Sequence, residues 1–299
     1  MSLLNRLLVT ALPLAPRFIV ARVAARYVAG STLDDALRVV GDLNRQGAMA
    51  TIDLLGEEVS ERDKALAAVD EYLRVFAAIQ ERGLDANVSI KLTLLGLKID
   101  EGFCRDNVDR IAAAARERGN FVRIDMEDHT CTDATLRIYR ELQARHGNLG
   151  VVLQAYMRRT LEDIGELPRQ GGNVRLCKGI YVEPRRIAWK GYETVRHNFV
   201  QALDKLVELG VYPAIATHDE YLVAAATALV DQHGLRRDQY EFQMLLGVDQ
   251  ELREILIAAG HRLRVYVAYG QDWYAYSIRR LRENPEVARH VLRALLGRR

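Results

Sequence analysis

The chain has 299 residues, of which 49% are hydrophobic, so it can bury a large core and is neither disordered nor fibrous. Its 42 Lys and Arg against 40 Asp and Glu leave a net charge of +2, which gives no electrostatic basis for nucleic acid as the main partner. The three cysteines are too few and too scattered for a disulfide framework or a zinc motif, and they indicate a reducing cytoplasm.

The first 47 residues are predicted to form a helical arm in front of the main domain. After a break near Pro13 and Pro16, Arg17, Arg22 and Arg26 recur at spacings close to a helical turn. Such an amphipathic arm either packs on the domain or touches a membrane surface, and packing is the simpler interpretation. No apolar run approaches the roughly 20 residues of a membrane-spanning helix.

A regular alternation of strands and helices follows a helix that is predicted to begin at Ser31 or Thr32 and to end at Gly47. Apolar runs of strand length, several of them rich in Val and Ile, lie at 48–54, 87–92, 121–126, 149–154, 173–178, 212–217, 240–245 and 263–268. Eight strands, each followed by a helix, within about 250 residues predict a (β/α)8 barrel over residues 48–299. An open doubly wound sheet is the structural alternative, but no GxGxxG follows any strand.

The helices between the strands carry ordinary start and stop signals. The first is predicted to be capped by Ser60 and to stop at Gly83. Further helices are predicted at 101–119, 131–147 and 183–210.

Polar side chains stand at the C-terminal end of every predicted strand, which is the face of a barrel where reacting groups lie. In chain order they are Asp53, Glu57, Lys91, Asp125, Glu127, Gln154, Arg175, Lys178, Thr217, His218, Asp219, Gln243 and Tyr266. Barrel interiors are usually filled by branched apolar residues, so this ring exceeds what packing requires. It predicts a functional site at that face.

Single members of the ring also have simpler interpretations. Lys91 is either paired with a neighbouring carboxylate or a Schiff-base lysine with a lowered pKa. Asp125 could cap the following helix or pair with Arg123. No HxH or HExxH accompanies His218, so we predict no metal site. Cys177 is expected to be a small buried apolar residue.

The segment 264–284 combines a strand, a Tyr-Gly turn and a predicted helix. Helical spacing places Tyr276, Arg279, Arg280 and Glu283 within one third of the helix circumference. Two adjacent guanidinium groups are suited to bidentate binding of a small carboxylate. The alternative is a solvated helix face with an ordinary intrahelical salt bridge.

Seven pieces of the sequence together resemble the flavin-dependent proline dehydrogenase family in its stand-alone bacterial form. They are DLLGE at 53–57, SIKLTLLG at 89–96, RIDMED at 123–128, LQAYMRRT at 153–160, VRLCKGIYVEP at 174–184, ATHD at 216–219 and the segment 264–284. The most specific are KGxY after the fifth strand and YGxxWYxYxxRRLxEN. The likeness runs from about residue 45 to 290 and leaves the N-terminal arm unmatched.

The resemblance implies a (β/α)8 barrel that binds FAD noncovalently and oxidises L-proline to Δ1-pyrroline-5-carboxylate. It also implies a membrane quinone as electron acceptor, hence a cytoplasmic protein with peripheral contact at the inner face of the membrane. The chain ends at 299 without the aldehyde dehydrogenase domain of the fused relatives, so a separate pyrroline-5-carboxylate dehydrogenase is expected to consume the product. The alternative function is a flavin-free aldolase that uses Lys91 as a Schiff base.

The substrate-binding residues that the resemblance implies surround one carboxylate and one small ring: Lys91, Tyr181, Leu245, Tyr266, Arg279, Arg280 and Glu283. Arg279 and Arg280 are expected to hold the carboxylate with Lys91, and the glutamate to pair with these cations. Tyr181 and Tyr266 are expected to line the pocket around the substrate ring, and Leu245 to add apolar surface there. Asp125 is implied as a catalytic residue that orients a tyrosine hydroxyl or a cation. Glu57 is implied to pair with Arg279 and so to form a gate over the bound substrate.

The cofactor-binding residues that the resemblance implies are Met126, Gln154, Arg175, Lys178, Gly179, Ile180, Thr217 and His218. Arg175 is also implied to be catalytic, because a positive charge beside the reactive nitrogen stabilises the reduced, anionic flavin ring. Met126 and Gln154 are expected to contact the same ring system. Residues 178–180 are expected to follow the phosphates and the ribityl chain, and residues 217–218 to make a further contact with FAD.

Overall fold

The computed structural model describes residues 26–167 and 171–274, and the predicted (β/α)8 barrel is confirmed. Eight parallel strands follow one another around the barrel in sequence order, and β8 pairs with β1 to close it. The strands are β1 (Met49–Leu54), β2 (Ala86–Ile90), β3 (Val122–Ile124), β4 (Leu149–Gln154), β5 (Asn173–Cys177), β6 (Tyr212–Ala216), β7 (Glu241–Leu245) and β8 (Leu263–Tyr269).

Helices connect the strands on the outside of the barrel. They are α1 (Leu33–Arg45), α2 (Arg62–Glu81), α3 (Glu101–Glu117), α4 (Thr132–His146), α5 (Thr160–Gly165), α6 (Tyr192–Glu208), α7 (Glu220–Gln232) and α8 (Gln250–Ala258), with a short 3-10 helix at Arg237–Gln239. Helix α1 begins as predicted, because the Thr32 hydroxyl accepts from the backbone N–H of Asp35 in a capping box. No helix in the described ranges is both long enough and apolar enough to cross a membrane.

Two predicted helix starts are wrong. Glu61, not Ser60, is the N-cap of α2, and it makes no side-chain cap hydrogen bond. The helix predicted from residue 183 begins only at Tyr192. The residues before it form a loop that pairs with the loop after β4, since Trp189 N–H donates to the Tyr156 carbonyl at 2.7 Å. This tertiary pairing satisfies the loop's backbone groups without a helix.

Alternation along the strands separates the two sides of the barrel wall. Ile52, Val88 and Val265 are fully buried in the layer between the strands and the helices. Each such side chain contributes about 1.5–3 kcal/mol of burial free energy. Their neighbours in sequence, such as Asp53 and Tyr266, face the barrel interior. The core therefore lies outside the strands, and polar groups occupy the interior.

The described part of the predicted N-terminal arm packs on the barrel. Ala29 N–H donates to the Ala268 carbonyl at 2.9 Å, so this segment lies along the end of β8. Leu37 and Val40 of α1 belong to the same buried cluster as the barrel strands. Residues 1–25 lie outside the described residues, and so does the part of the helix predicted after β8 that follows Tyr274.

Candidate active site

A cavity of about 1020 Å³ opens at the C-terminal ends of the strands. Twelve of the predicted catalytic, substrate-binding and cofactor-binding residues line it. They are Lys91, Asp125, Met126, Arg175, Lys178, Gly179, Ile180, Tyr181, Thr217, His218, Leu245 and Tyr266. The barrel therefore brings together residues that lie up to 175 positions apart in sequence, as in the Lys91 to Tyr266 hydrogen bond.

Two of the remaining predicted residues are described, Gln154 and Glu57, and neither is among those that line the cavity. Gln154 is buried, and its side-chain amide donates to the Glu127 carbonyl at 2.9 Å. Glu57 is exposed on the loop after β1. Arg279, Arg280 and Glu283 lie outside the described residues, so their roles stay predictions.

Asp125 is the centre of a buried hydrogen-bonded cluster. Its carboxylate accepts from Ser89 Oγ at 2.6 Å, Arg175 Nη1 at 2.7 Å and the Tyr266 hydroxyl at 2.9 Å. Burial alone would raise the pKa of Asp125, but the charges of Arg175 and Lys91 and these hydrogen bonds outweigh burial and lower it. The aspartate is therefore ionised at neutral pH and orients both a tyrosine hydroxyl and a guanidinium.

The simpler interpretation of Asp125 as a helix cap or as a partner of Arg123 is wrong. Arg123 instead lies deeper in the barrel and donates to the backbone carbonyls of Val151 and Asn173 at 3.1 and 2.9 Å. Gly150 leaves space for this side chain, because a Cβ at that position would overlap Arg123 Nη1.

Lys91 is paired with carboxylates on two sides. Its Nζ lies 2.6 Å from Asp53 Oδ1 and 3.7 Å from Asp125 Oδ2, and it donates to the Tyr266 hydroxyl at 3.2 Å. Burial acts to lower the pKa of Lys91, but the charges of Asp53, Asp125 and Glu127 and the hydrogen bond to Asp53 together outweigh burial and raise it. A Schiff-base lysine needs the opposite shift, so the environment favours structural and electrostatic roles.

Arg175 presents one unused edge of its guanidinium group. Nε donates to Gln243 Oε1 at 2.5 Å, and Nη1 donates to Asp125 and to Ser89 Oγ, the latter at 3.1 Å. Nη2 is buried and has no hydrogen-bond partner within the described residues. Because buried N–H groups are almost always paired, this edge is suited to receive an acceptor from a bound molecule.

A second charged group lies at the other side of the same cavity. Lys178 Nζ lies 3.1 Å from Asp219 Oδ2, and Arg196 binds both oxygens of that carboxylate at 2.9 and 2.7 Å. The guanidinium of Arg196 also lies over the rings of Tyr192 and Tyr221, at 4.3 and 4.9 Å from their centroids. Burial acts against ionisation of Asp219, but hydrogen bonds from its cationic and hydroxyl partners hold its pKa well below the usual range.

Two further side chains on the cavity wall have specific local contacts. His218 Nε2 accepts from the backbone N–H of Leu245 at 2.9 Å, which ties the end of β6 to β7. Cys177 is only partly buried and lines the cavity, so its interpretation as a fully buried apolar residue is wrong. Its position at the last residue of β5, where the barrel opens, accounts for this exposure.

Comparison with known proteins assigns a family to this barrel. The chain matches the family described as Proline dehydrogenase over residues 36–293. It belongs to the proline dehydrogenase family. It is 38% identical over 278 residues to "Proline dehydrogenase" of Deinococcus radiodurans, covering 91% of this chain and 90% of that protein. It is 39% identical over 274 residues to "Proline dehydrogenase 1" of Bacillus subtilis strain 168, with the same coverage.

A solved structure agrees with the fold. Proline utilization A from Bdellovibrio bacteriovorus, inactivated by N-propargylglycine, superposes with a TM-score of 0.83 at 24% identity. The match covers 89% of this chain, which spans 33% of the length of that chain. The family assignment makes the protein a proline dehydrogenase oxidoreductase.

Some residues of the site in this proline dehydrogenase were not recognised in the sequence. Ser89 is buried beside the cavity and contacts Asp125 and Arg175; it was missed although alternation along β2 places it on the same inward face as Lys91. Arg196 and Tyr192 were missed as well, but they lie four residues apart on α6 and therefore share a helix face. Tyr27 lines the cavity from a segment with no recognised motif, and we find no sequence signal that could have identified it.

Proposed function

We propose that the chain oxidises L-proline to Δ1-pyrroline-5-carboxylate with FAD bound noncovalently in the cavity at the C-terminal face. The observation that carries the proposal is the unused Nη2 edge of Arg175, a buried cationic donor at the cavity wall with no partner among the described residues. When bound, FAD would supply the acceptor for the hydride that leaves the proline carbon next to nitrogen.

The size and charge of the cavity fit a dinucleotide flavin. Its volume of about 1020 Å³ lies at the upper end of the roughly 300–1,000 Å³ typical of small-molecule sites. Lys178 and Arg196 would bind the diphosphate, since both cations already converge on Asp219. The remaining cavity residues assigned to FAD are Met126, Gly179, Ile180, Thr217 and His218. Gln154 does not line the cavity and would support the FAD site through its hydrogen bond to the Glu127 carbonyl.

The ion pairs of Lys91 and Arg175 support the proposal that other cations bind the substrate carboxylate. Lys91 and Arg175 each already face a carboxyl group, Asp53 and Asp125 respectively. A proline carboxylate entering here would remain uncompensated without further cations. This supports Arg279 and Arg280 as the carboxylate clamp, with Glu283 as their partner, Lys91 beside them and Glu57 as the gate partner of Arg279.

The chain's own residues act mainly by positioning. Asp125 accepts hydrogen bonds from the Tyr266 hydroxyl at 2.9 Å and from Arg175 at 2.7 Å. One carboxylate therefore positions both Tyr266, which would line the substrate pocket, and Arg175, which would contact the cofactor. Tyr181 and Leu245 supply the rest of the wall around the small ring. Fixing the reacting carbon close to the ring that accepts the hydride is worth many orders of magnitude in rate.

The proposal extends to the partners of the reaction. Electrons would pass to a quinone, which implies peripheral contact of a cytoplasmic enzyme with the inner face of the membrane. The product would be taken by a separate pyrroline-5-carboxylate dehydrogenase. These statements rest on the family likeness and on the cysteine usage of the sequence.

The test is the visible absorption spectrum of the purified protein before and after addition of L-proline without oxygen. Flavin bands that bleach with proline would support cofactor, substrate and reaction direction together. Flavin bands that persist would refute proline as the substrate. A colourless protein that gains no flavin on reconstitution would refute the cofactor. Borohydride trapping with a keto acid would then test Lys91 as a Schiff base.

A further inference from the structure

A column of four polar side chains continues from the cavity toward the N-terminal end of the barrel. We call Arg175, Gln243, Glu241 and Arg264 the interior column. Arg175 Nε donates to Gln243 Oε1 at 2.5 Å, and Gln243 Nε2 donates to Glu241 Oε1 at 2.5 Å. The lower end is a bidentate ion pair, in which Arg264 Nε and Nη2 donate to the two Glu241 oxygens at 2.9 and 3.1 Å.

Strand geometry explains why these residues meet. Glu241 and Gln243 are two apart on β7, so both side chains face the interior. In the strand register, Gln243 of β7 is level with Arg264 of β8, whose side chain leans back to Glu241. All four residues are at most 7% exposed, so solvent does not compete for their hydrogen bonds.

The amide of Gln243 can adopt only one orientation in this column. Glu241, as a carboxylate, only accepts hydrogen bonds, so it must face the amide NH₂ group. The amide oxygen is then left for Arg175, which can only donate. Exchange of the two amide atoms would place two acceptors together at Glu241 and two donors together at Arg175. The negative charge of Glu241 therefore determines that the amide oxygen of Gln243, and not its NH₂ group, faces Arg175.

Glu241 is held in its ionised form by its neighbours. Burial acts to raise the pKa of Glu241, but the charge and hydrogen bonds of Arg264, together with the hydrogen bond from Gln243 and the charge of Arg123, outweigh burial and lower it, so the group is ionised at neutral pH. Arg264 is anchored further by Nη1, which donates to the Ala50 carbonyl at 2.8 Å. The lower end of the column is thus attached to the backbone of β1.

Two anchors determine the direction of the Arg175 guanidinium. Gln243 holds Nε, while Asp125 and Ser89 hold Nη1. A guanidinium group is planar and rigid, so these two edges leave no freedom for the third edge, Nη2. Without the anchor at Nε, the group could turn about the contact at Nη1.

We propose that Gln243 is a positioning residue for the flavin reaction: it aims the free Nη2 edge of Arg175 at the flavin, and Glu241 with Arg264 holds Gln243 in the orientation this requires. The inference rests on the proposed function, because it needs a flavin beside Arg175. A guanidinium aimed at the ring stabilises the reduced, anionic form, so displacement of the group weakens both the equilibrium and the rate of reduction.

The test compares Gln243→Met with the wild-type protein. Methionine has a similar length but offers no acceptor as strong as the amide oxygen. We expect kcat with proline to fall about tenfold or more, with KM for proline changed less than about twofold. The midpoint potential of the bound flavin should fall by about 30 mV, which corresponds to a tenfold change in the equilibrium of a two-electron couple.

The matched control is Tyr212→Phe, which removes a hydroxyl 3.4 Å from Glu241 Oε2 that makes no hydrogen bond to Gln243 or Arg175. It should keep the wild-type potential. If Gln243→Met does not fold, Gln243→Asn replaces it, because its amide is one methylene too short to reach both partners. We expect the same fall in potential.

The outcomes separate this inference from the proposed function. A wild-type protein without flavin, or with flavin that proline does not reduce, would refute the proposed function. If proline bleaches the flavin bands of the wild-type protein but the variant keeps the wild-type potential and kcat, only the role of Gln243 is overturned. A lower melting temperature without change in potential would likewise overturn it, because it would show a purely structural role.

Discussion

Replacement of Asp125 by asparagine is the sharpest test of the buried cluster. The carboxylate accepts from three donors, Ser89, Arg175 and Tyr266, within 2.9 Å. Asparagine has nearly the same shape but one oxygen fewer and no charge. Its oxygen can still accept from Arg175 and Ser89, but its NH₂ group would then face the Tyr266 hydroxyl, which has to accept where it had donated. The substitution therefore removes the charge that balances Arg175 and one acceptor at a buried site.

The expected loss of stability follows from the burial of this ion pair. The side chains of Arg175 and Asp125 are 8% and 13% exposed. Removing one partner of a buried pair typically costs about 3–5 kcal/mol, because the other charge stays buried. At about 2 °C per kcal/mol for a chain of this size, the melting temperature should fall by about 6–10 °C.

The difference between wild type and Asp125→Asn should depend on pH. The pKa of Asp125 is lower in the folded protein than in the unfolded chain, so its stabilising contribution is present above the unfolded pKa of about 3.9. It is lost as the pH falls through the folded pKa. The difference in unfolding free energy should therefore be constant from about pH 5 to 8 and shrink below about pH 4.

The assay is urea denaturation at pH 7 and at lower pH, with flavin content matched between the proteins. The control is Asp238→Asn, the same chemical change at an exposed ion pair with Arg236, which should leave the midpoint unchanged. A loss of less than about 1 kcal/mol in Asp125→Asn would refute the argument that Arg175 depends on this carboxylate.

Two further predictions concern the substrate. Arg280→Met should raise KM for proline strongly while FAD stays bound, and Arg280→Lys should not restore it, because a point charge cannot replace a bidentate fork. An unchanged KM in steady-state kinetics would remove the carboxylate assignment. Tyr266→Ser should shift the kcat/KM ratio toward ring-hydroxylated proline, because it removes the phenol that contacts Lys91 and Asp125 and leaves space there for the hydroxyl of the substrate. If the ratio of the two substrates is unaltered, Tyr266 does not line the ring pocket.

The barrel and its functional face could be predicted from the sequence. Strand-length runs of Val and Ile in regular alternation with helices are a local signal, and eight of them leave few architectures. Because parallel strands present their C-terminal ends to one face, the polar ring from Lys91 to Tyr266 could be located without knowledge of any contact. Twelve of the predicted residues do line one cavity.

The pairing of those residues was decided only by the tertiary structure. Alternation shows which side chains face inward, but the stagger and tilt of the closed strands determine which of them lie at the same height. Asp125 therefore meets Arg175, fifty residues away, and not its near neighbour Arg123. The late start of α6 has a similar cause, because the residues before it pair with a distant loop. Gln243, recognised in the sequence only as a polar residue on a strand, acquires a defined partner at each end through barrel closure.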